Sequence, residues 1–282
     1  MNKQTQIVVP IDYTATAHNA LKYAEGLAKT IDAFITVVHV KEYIIPNIEI
    51  VYTPYLDTDD VSLKKAVEDF IHSDDKPDSW LADKDNVKIE ILEGYPVTAI
   101  IELSEDKAND LIIMGSEGLQ DILSKVISST SIKVAEAAHC PVIIVPTDCL
   151  WFPIKRIMYA SNYTSLTPLM IQKILNFAYF VNAEIHFVHI EDENKQVENK
   201  EMANIDWTKL FSLDAPRIGY RTYSIQGNDI IVELKKYARE NNIDMMTFTS
   251  RKRGFWENLT QKSVIYEMAA TAPLPMMIMN LE

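Results

Sequence analysis

The chain repeats itself. Shifted by 150 residues, Ile7-Val8-Val9-Pro10-Ile11-Asp12-Tyr13-Thr14 falls on Ile157-Met158-Tyr159-Ala160-Ser161-Asn162-Tyr163-Thr164, and Ala33 through Val40 falls on Ala183 through Ile190 without a gap. From Asp110 the shift becomes 134. It then pairs Asp110-Leu111-Ile112-Ile113-Met114 with Asp244-Met245-Met246-Thr247-Phe248, and Pro141-Val142-Ile143-Ile144-Val145 with Pro275-Met276-Met277-Ile278-Met279. The second copy therefore lacks one short stretch, out of the counterpart of Lys41 to Asp85. A chain of 282 residues suits two domains of ordinary size. We read them as residues 1–147 and 154–282, joined near Thr147 to Lys155.

Within each copy the hydrophobic period alternates between that of a strand and that of a helix. Ile7 to Pro10 is a β-branched run, and Ala17, Ala20, Leu21, Ala24, Leu27 and Ala28 recur at helical spacing behind Asp12 and Thr14, either of which can cap the helix. Strands follow at Ile35 to Val40, Val87 to Leu92, Leu111 to Met114 and Val142 to Val145. Helices are predicted over Val61 to Ile71, Val97 to Ala108 and Ser129 to Ala138. Short apolar strands alternating with helices specify an α/β fold in each copy, a parallel sheet covered on both faces. Such sheets take ligands beyond the carboxyl ends of their strands, where the strand order reverses. The loops after Val9, Val40 and Met114 are thus the places of interest.

Charge and composition narrow the function. With 27 basic against 40 acidic residues the net charge is −13, so a nucleic-acid partner is not expected. No apolar run approaches the ~20 residues of a membrane-spanning helix, and Met1 to Pro10 lacks the core of a secretory signal. Two cysteines, Cys140 and Cys149, make no disulfide framework. These features predict a cytoplasmic protein.

Glycine is scarce, at 7, yet two glycines stand together in Gly115-Ser116-Glu117-Gly118, directly after a strand. Nine residues later Ser128-Ser129-Thr130 opens a helix. Glycines let the backbone approach a phosphate, and free N–H groups at a helix start attract anions. A G-x-x-G alone also serves ordinary turns, so its context decides.

That context resembles a universal stress protein domain. The resemblance rests on Pro10-Ile11-Asp12, the helix Asn19-Ala20-Leu21-Lys22-Tyr23-Ala24, the strand end His39-Val40, Asp110-Leu111-Ile112-Ile113-Met114-Gly115-Ser116 and Cys140-Pro141-Val142-Ile143-Ile144-Val145. It runs the length of the first copy, and the other copy resembles the same domain worn down. It implies, for each copy, a five-stranded parallel sheet with helices on both faces, a Rossmann-like fold of the adenine-nucleotide alpha-hydrolase type. In nucleotide-binding members of the family ATP, with Mg²⁺ where present, lies on a loop written G-x-x-G, nine residues, G-[S/T]. On that pattern Gly115 and Gly118 match, Ser129 with Thr130 behind it matches the hydroxyl position, Asp12 matches the acid near the sugar and base, and Val40 offers backbone to the adenine. Ser128 replaces the third glycine. If that position requires a positive φ, the substitution costs about 1–2 kcal/mol against the roughly 8 kcal/mol of a micromolar site. ATP should be weakened rather than lost. Glu117 and Asp121 add opposing charge near the loop.

The family also pairs domains through their last strands. The resemblance therefore implies that Val142–Val145 and Met276–Met279 pair within the chain, hiding two sheet edges, with association of two such chains left open. In the second copy the loop reads Thr249-Ser250-Arg251-Lys252, followed by Arg253-Gly254 and later Lys262-Ser263, and Asn162 replaces the acid. No ATP is expected there. The basic residues Arg251, Lys252, Arg253 and Lys262 read as a solvated loop, or as a site for an anion or a partner's acidic patch. The segment from Lys41 to Asp85 reads as a lid, a contact surface, or an ordinary loop and helix. His39 and His189 end equivalent strands but sit among apolar residues, His139-Cys140 lacks a second pair at zinc spacing, and Met276, Met277 and Met279 read as packing. No catalytic base or metal set is visible at a γ-phosphate position, which disfavours fast hydrolysis. The sequence thus points to weak ATP binding in the first copy as a switch or sensor. The alternative is an interaction or scaffold protein without a nucleotide.

Overall fold

The computed structural model describes residues 4–42, 59–73, 80–83, 85–116, 129–160, 168–191, 218–251 and 259–281. The first copy runs β1 (Gln6–Ile11), α1 (Ala15–Ile31), β2 (Phe34–Lys41), α2 (Asp60–Ile71), a 3-10 turn (Trp80–Ala82), β3 (Val87–Glu93), α3 (Pro96–Leu103), β4 (Leu111–Ser116), α4 (Ser129–Ala137) and β5 (Val142–Pro146). The second runs β6 (Arg156–Ala160), α5 (Pro168–Val181), β7 (Glu184–Glu191), β8 (Tyr220–Gln226), α6 (Ile230–Glu240), β9 (Met245–Arg251), α7 (Leu259–Thr271) and β10 (Met276–Leu281).

All ten strands form one sheet in the order β3-β2-β1-β4-β5-β10-β9-β6-β7-β8. Each copy is parallel, and the expected pairing of last strands closes the seam. β5 and β10 run antiparallel, with Met276 opposite Ile144, Met277 opposite Ile143 and Ile278 opposite Val142. The order mirrors across that seam, so the carboxyl ends of the two copies point to opposite edges of the sheet. One core, under α1, α2 and α5, and a second, under α3, α4, α6 and α7, cover the two faces and each spans both copies. The methionines Met276, Met277 and Met279 are buried in them, as expected.

Repeated residues do repeated local work. Thr14 caps α1, its hydroxyl accepting from the Ala17 N–H, and the helix ends on Asp32 in the left-handed region. Asn182, 150 residues on, ends α5 with φ 55°; Asp and Asn tolerate that conformation best among non-glycine residues. Asp110 Oδ2 accepts from the Gln6 N–H at 2.9 Å, and its counterpart Asp244 accepts from the N–H groups of Lys155 and Arg156 at 2.8 and 2.9 Å. Each aspartate thereby pins the first strand of its copy.

One predicted boundary moves. The helix expected over Val97 to Ala108 ends at Leu103, because polar side chains take the backbone groups that another turn would use. Ser104 donates to the Ile101 carbonyl and accepts from the His139 N–H, Asp106 accepts from the Ala108 N–H, and Asn109 donates to the Leu103 carbonyl.

The seam is clamped from both faces. Asn19 of α1 donates to the carbonyls of Pro146 and Cys149, both at 3.0 Å, and Trp151 packs edge-on to Tyr23. Gly26 is where α1 admits that indole: a Cβ there would fall 2.1 Å from the ring. On the other face Asn280 of β10 reaches across to the Ala135 and Ala138 carbonyls at the end of α4, supplying partners that a helix terminus lacks.

Candidate functional site

In the first copy β1 lies between β2 and β4, so the chain leaves β1 in one direction and returns on its other side. That reversal is the switch point of the sheet. Ile11 pairs with His39 and Val8 with Ile112; continued, these registers set Asp12 level with Val40 and Gly115 level with Ile11. The predicted residues Asp12, Val40 and Gly115 therefore meet at one carboxyl edge. Ser129 opens α4 and Thr130 lies half-buried in its first turn. Gly118 and Ser128, with Glu117 and Asp121, lie outside the described residues.

Asp12 is exposed and held by its neighbour. Its Oδ1 accepts from the Thr14 hydroxyl at 2.6 Å and from the Thr14 N–H at 3.2 Å, while the same hydroxyl accepts from the Ala17 N–H at 3.1 Å. Thr14, of the two candidates, is the cap, and Asp12 orients it. The turn puts Tyr13 at φ 62°, in the left-handed region that non-glycine residues rarely enter. There its ring tilts over His39 with centroids 4.7 Å apart and meets Phe70 of α2 edge-on. Phe70 also packs edge-on to His18, whose Nε2 lies 3.2 Å from the Ser73 hydroxyl. His39 is satisfied, as expected: its Nδ1 is 3.2 Å from the Ile11 carbonyl oxygen. This aromatic wall beside Asp12 escaped the sequence reading; the signal available was an aromatic directly after the acid at the strand end.

Gly115 has a cause inside the fold. A Cβ there would lie 2.5 Å from Thr16 Cγ2 and 2.6 Å from the Thr16 carbonyl oxygen, so the first turn of α1 packs onto β4 only over a glycine. Thr16 and Thr147 hydroxyls are 3.2 Å apart, and Thr147 donates to the Ser116 carbonyl at 3.0 Å. Two hydroxyls nearby in the chain, Ser116 at the end of β4 and Ser131 in α4, are buried without a hydrogen-bond partner, a state that costs about 1–3 kcal/mol each unless something supplies the missing bond.

The second copy carries a side-chain bond near the equivalent strand ends. Tyr159 of β6 stands at the position of Val9, Thr249 of β9 at that of Gly115, and their hydroxyls are 3.0 Å apart. The bond spans the switch point between β6 and β9. Of the basic residues noted there, Lys252 and Arg253 lie outside the described residues.

No thiol adds chemistry to either edge. Burial pushes Cys140 up to about 12 and Cys149 up to about 11, leaving both protonated at neutral pH. Among the described residues no group of three potential ligands is placed to hold a metal ion, and no helix is long and apolar enough to cross a membrane.

The family model described as the universal stress protein family matches residues 4–146. The chain belongs to the universal stress protein family. A universal stress protein of Methanocaldococcus jannaschii is 30% identical over 146 residues, covering 51% of this chain and 83% of that protein. One from Bacillus subtilis is 27% identical over 146 residues, covering 50% of this chain and 97% of its own. The crystal structure of a universal stress protein from Archaeoglobus fulgidus superposes along the whole length, with a TM-score of 0.69 and 98% of each chain covered at 18% identity. Both copies thus share the tandem universal stress protein fold, although the family model matches the first alone.

Proposed function

We propose that the first copy of this universal stress protein binds ATP weakly at its carboxyl edge, as a switch or sensor without fast catalysis, and that the second copy serves structure. The observation that carries this reading is the contrast at the switch point: Asp12 stands exposed at the same carboxyl edge as Gly115 in the first copy, whereas Tyr159 and Thr249 share a hydroxyl bond near the equivalent strand ends of the second. The residues present fit the nucleoside end of the ligand, with the exposed Asp12 carboxylate for sugar hydroxyls and the end of β2 for a base edge. On the family pattern the phosphates would meet the loop that carries Gly118 and Ser128, which lies outside the described residues. Mg²⁺ would screen the phosphates from the local acids.

Charge favours a second reading, an interaction protein with no nucleotide. Residues 1–150 carry 12 Lys and Arg against 25 Asp and Glu, whereas residues 151–282 carry 15 of each, so the proposed site lies in the copy that repels anions most. Gly115, moreover, is required by Thr16 whether or not a ligand binds.

Calorimetric titration with ATP and Mg²⁺ separates the two. The nucleotide reading expects one site of micromolar-range affinity, abolished or weakened at least about tenfold in Asp12→Ala and unchanged in Asn162→Ala, with both variants folded by circular dichroism. Silence at millimolar ATP overturns it in favour of a protein partner.

A further inference from the structure

A buried polar cluster at the start of β7 has no counterpart in the first copy. His186, 4% exposed, stands where the first copy has Thr36. Its Nδ1 lies 2.7 Å from the Tyr237 hydroxyl of α6, and its Nε2 is buried with no hydrogen-bond partner. Glu184 is two residues earlier on the same strand and so on the same face. Its Oε1 lies 3.8 Å from that Nε2, just outside hydrogen-bond range. The same oxygen accepts a hydrogen bond from Arg221 Nε on β8, and the register sets Arg221 beside His186. Tyr223 of β8 completes the ring of neighbours, its centroid 5.5 Å from the imidazole and 5.1 Å from Tyr237. Arg156 of β6 adds a further positive charge.

Burial, aided by Arg221 and Arg156 and opposed by Glu184, holds His186 below the usual imidazole range. It is neutral at neutral pH. The neutral ring carries one proton, and the Tyr237 hydroxyl can meet Nδ1 as donor or as acceptor. A second proton makes both nitrogens donors. The Tyr237 hydroxyl can turn to accept at Nδ1, and at Nε2 the anion in reach is the carboxylate already engaged by Arg221. Among the described residues Arg221 has no other ion-pair partner. Among the described residues it belongs to the outer strand of the sheet.

We propose that Glu184 is a carboxylate shared between two cations in turn: it holds Arg221, and with it the edge strand β8, while His186 is neutral, and it swings to His186 when that ring takes up a proton, loosening β8. The device reads acid in the core and reports it at the sheet edge. Nothing in it depends on a nucleotide.

The test follows the His186 imidazole by NMR in the full chain from about pH 8 to about pH 5. Amide exchange of residues 220–226 is measured alongside and corrected for its intrinsic pH dependence. The expected result is a rise in β8 exchange of about tenfold, with the midpoint of the His186 titration. Glu184→Gln lowers that midpoint and leaves β8 exchanging fast at every pH. Arg221→Gln, at a side chain 61% exposed and so safe for folding, raises it. His186→Thr keeps β8 protected throughout. Level β8 exchange while His186 titrates, or an unmoved midpoint in both charge variants, overturns the proposal.

Discussion

The two copies spend the same strand ends differently. In the first, the end of β1 is an exposed aspartate turned toward its own helix cap, and the end of β4 is a glycine pressed against that helix. In the second, a tyrosine in β6 and a threonine in β9 bridge the gap with their hydroxyls. Away from the carboxyl edge the copies agree: Asp110 and Asp244 pin equivalent first strands, and Asp32 and Asn182 end equivalent helices at nearly equal φ. Positions that hold the sheet together have stayed alike while those at the carboxyl edge have parted. On the proposed reading, the scaffold is kept twice and a site once.

Making the copies alike should break this contrast, and the largest effect is expected at the glycine. Gly115→Thr, which writes the second copy's residue into the first, drives a side chain into the Thr16 backbone and should cost about 3 kcal/mol or more in urea unfolding; a change below about 1 kcal/mol would show that the helix start yields freely. Next, Asp244→Ala should destabilise by about 2–3 kcal/mol, because it removes the acceptor of the Lys155 and Arg156 backbone N–H groups. A loss below about 1 kcal/mol would show that the aspartate does not pin β6. Tyr159→Phe removes the hydroxyl bond to Thr249 and should cost about 1 kcal/mol, without conferring ATP binding on the second copy. The smallest effect is with pH. Because the folded state lowers the His186 pKa, the unfolded chain binds the proton more readily, so this contribution is complete above about pH 6.5 and lost as pH falls through the lowered value. His186→Thr, the first copy's choice, should flatten that part of the stability profile measured by chemical denaturation.

Much of the architecture was legible because the repeat shows in the backbone-directed residues. The capping threonine and the apolar strands act through neighbours in the chain, and the pairing of β5 with β10 followed from family resemblance. Asp12 and Gly115 were legible too, although the glycine's necessity has a packing cause at Thr16 that spacing does not reveal. The Tyr159–Thr249 bond joins residues 90 apart, and neither residue is unusual alone. His186 hid for the same reason: His39 and His189 drew attention by their matched positions, while the buried polar cluster lies at the unmatched one. The overlong third helix shows local competition, in which Ser104, Asp106 and Asn109 outbid an apolar period that continued past them.

The antiparallel seam between β5 and β10 has a last consequence. In a dimer of identical chains the same seam would form from two molecules, its occupancy would fall on dilution, and every substitution would appear on both sides at once. Here the partners share a backbone, so the pairing has no dissociation constant and dilution does not separate it. Each side is also free to change without imposing that change on the other, which gives the two halves of a symmetric sheet room to diverge.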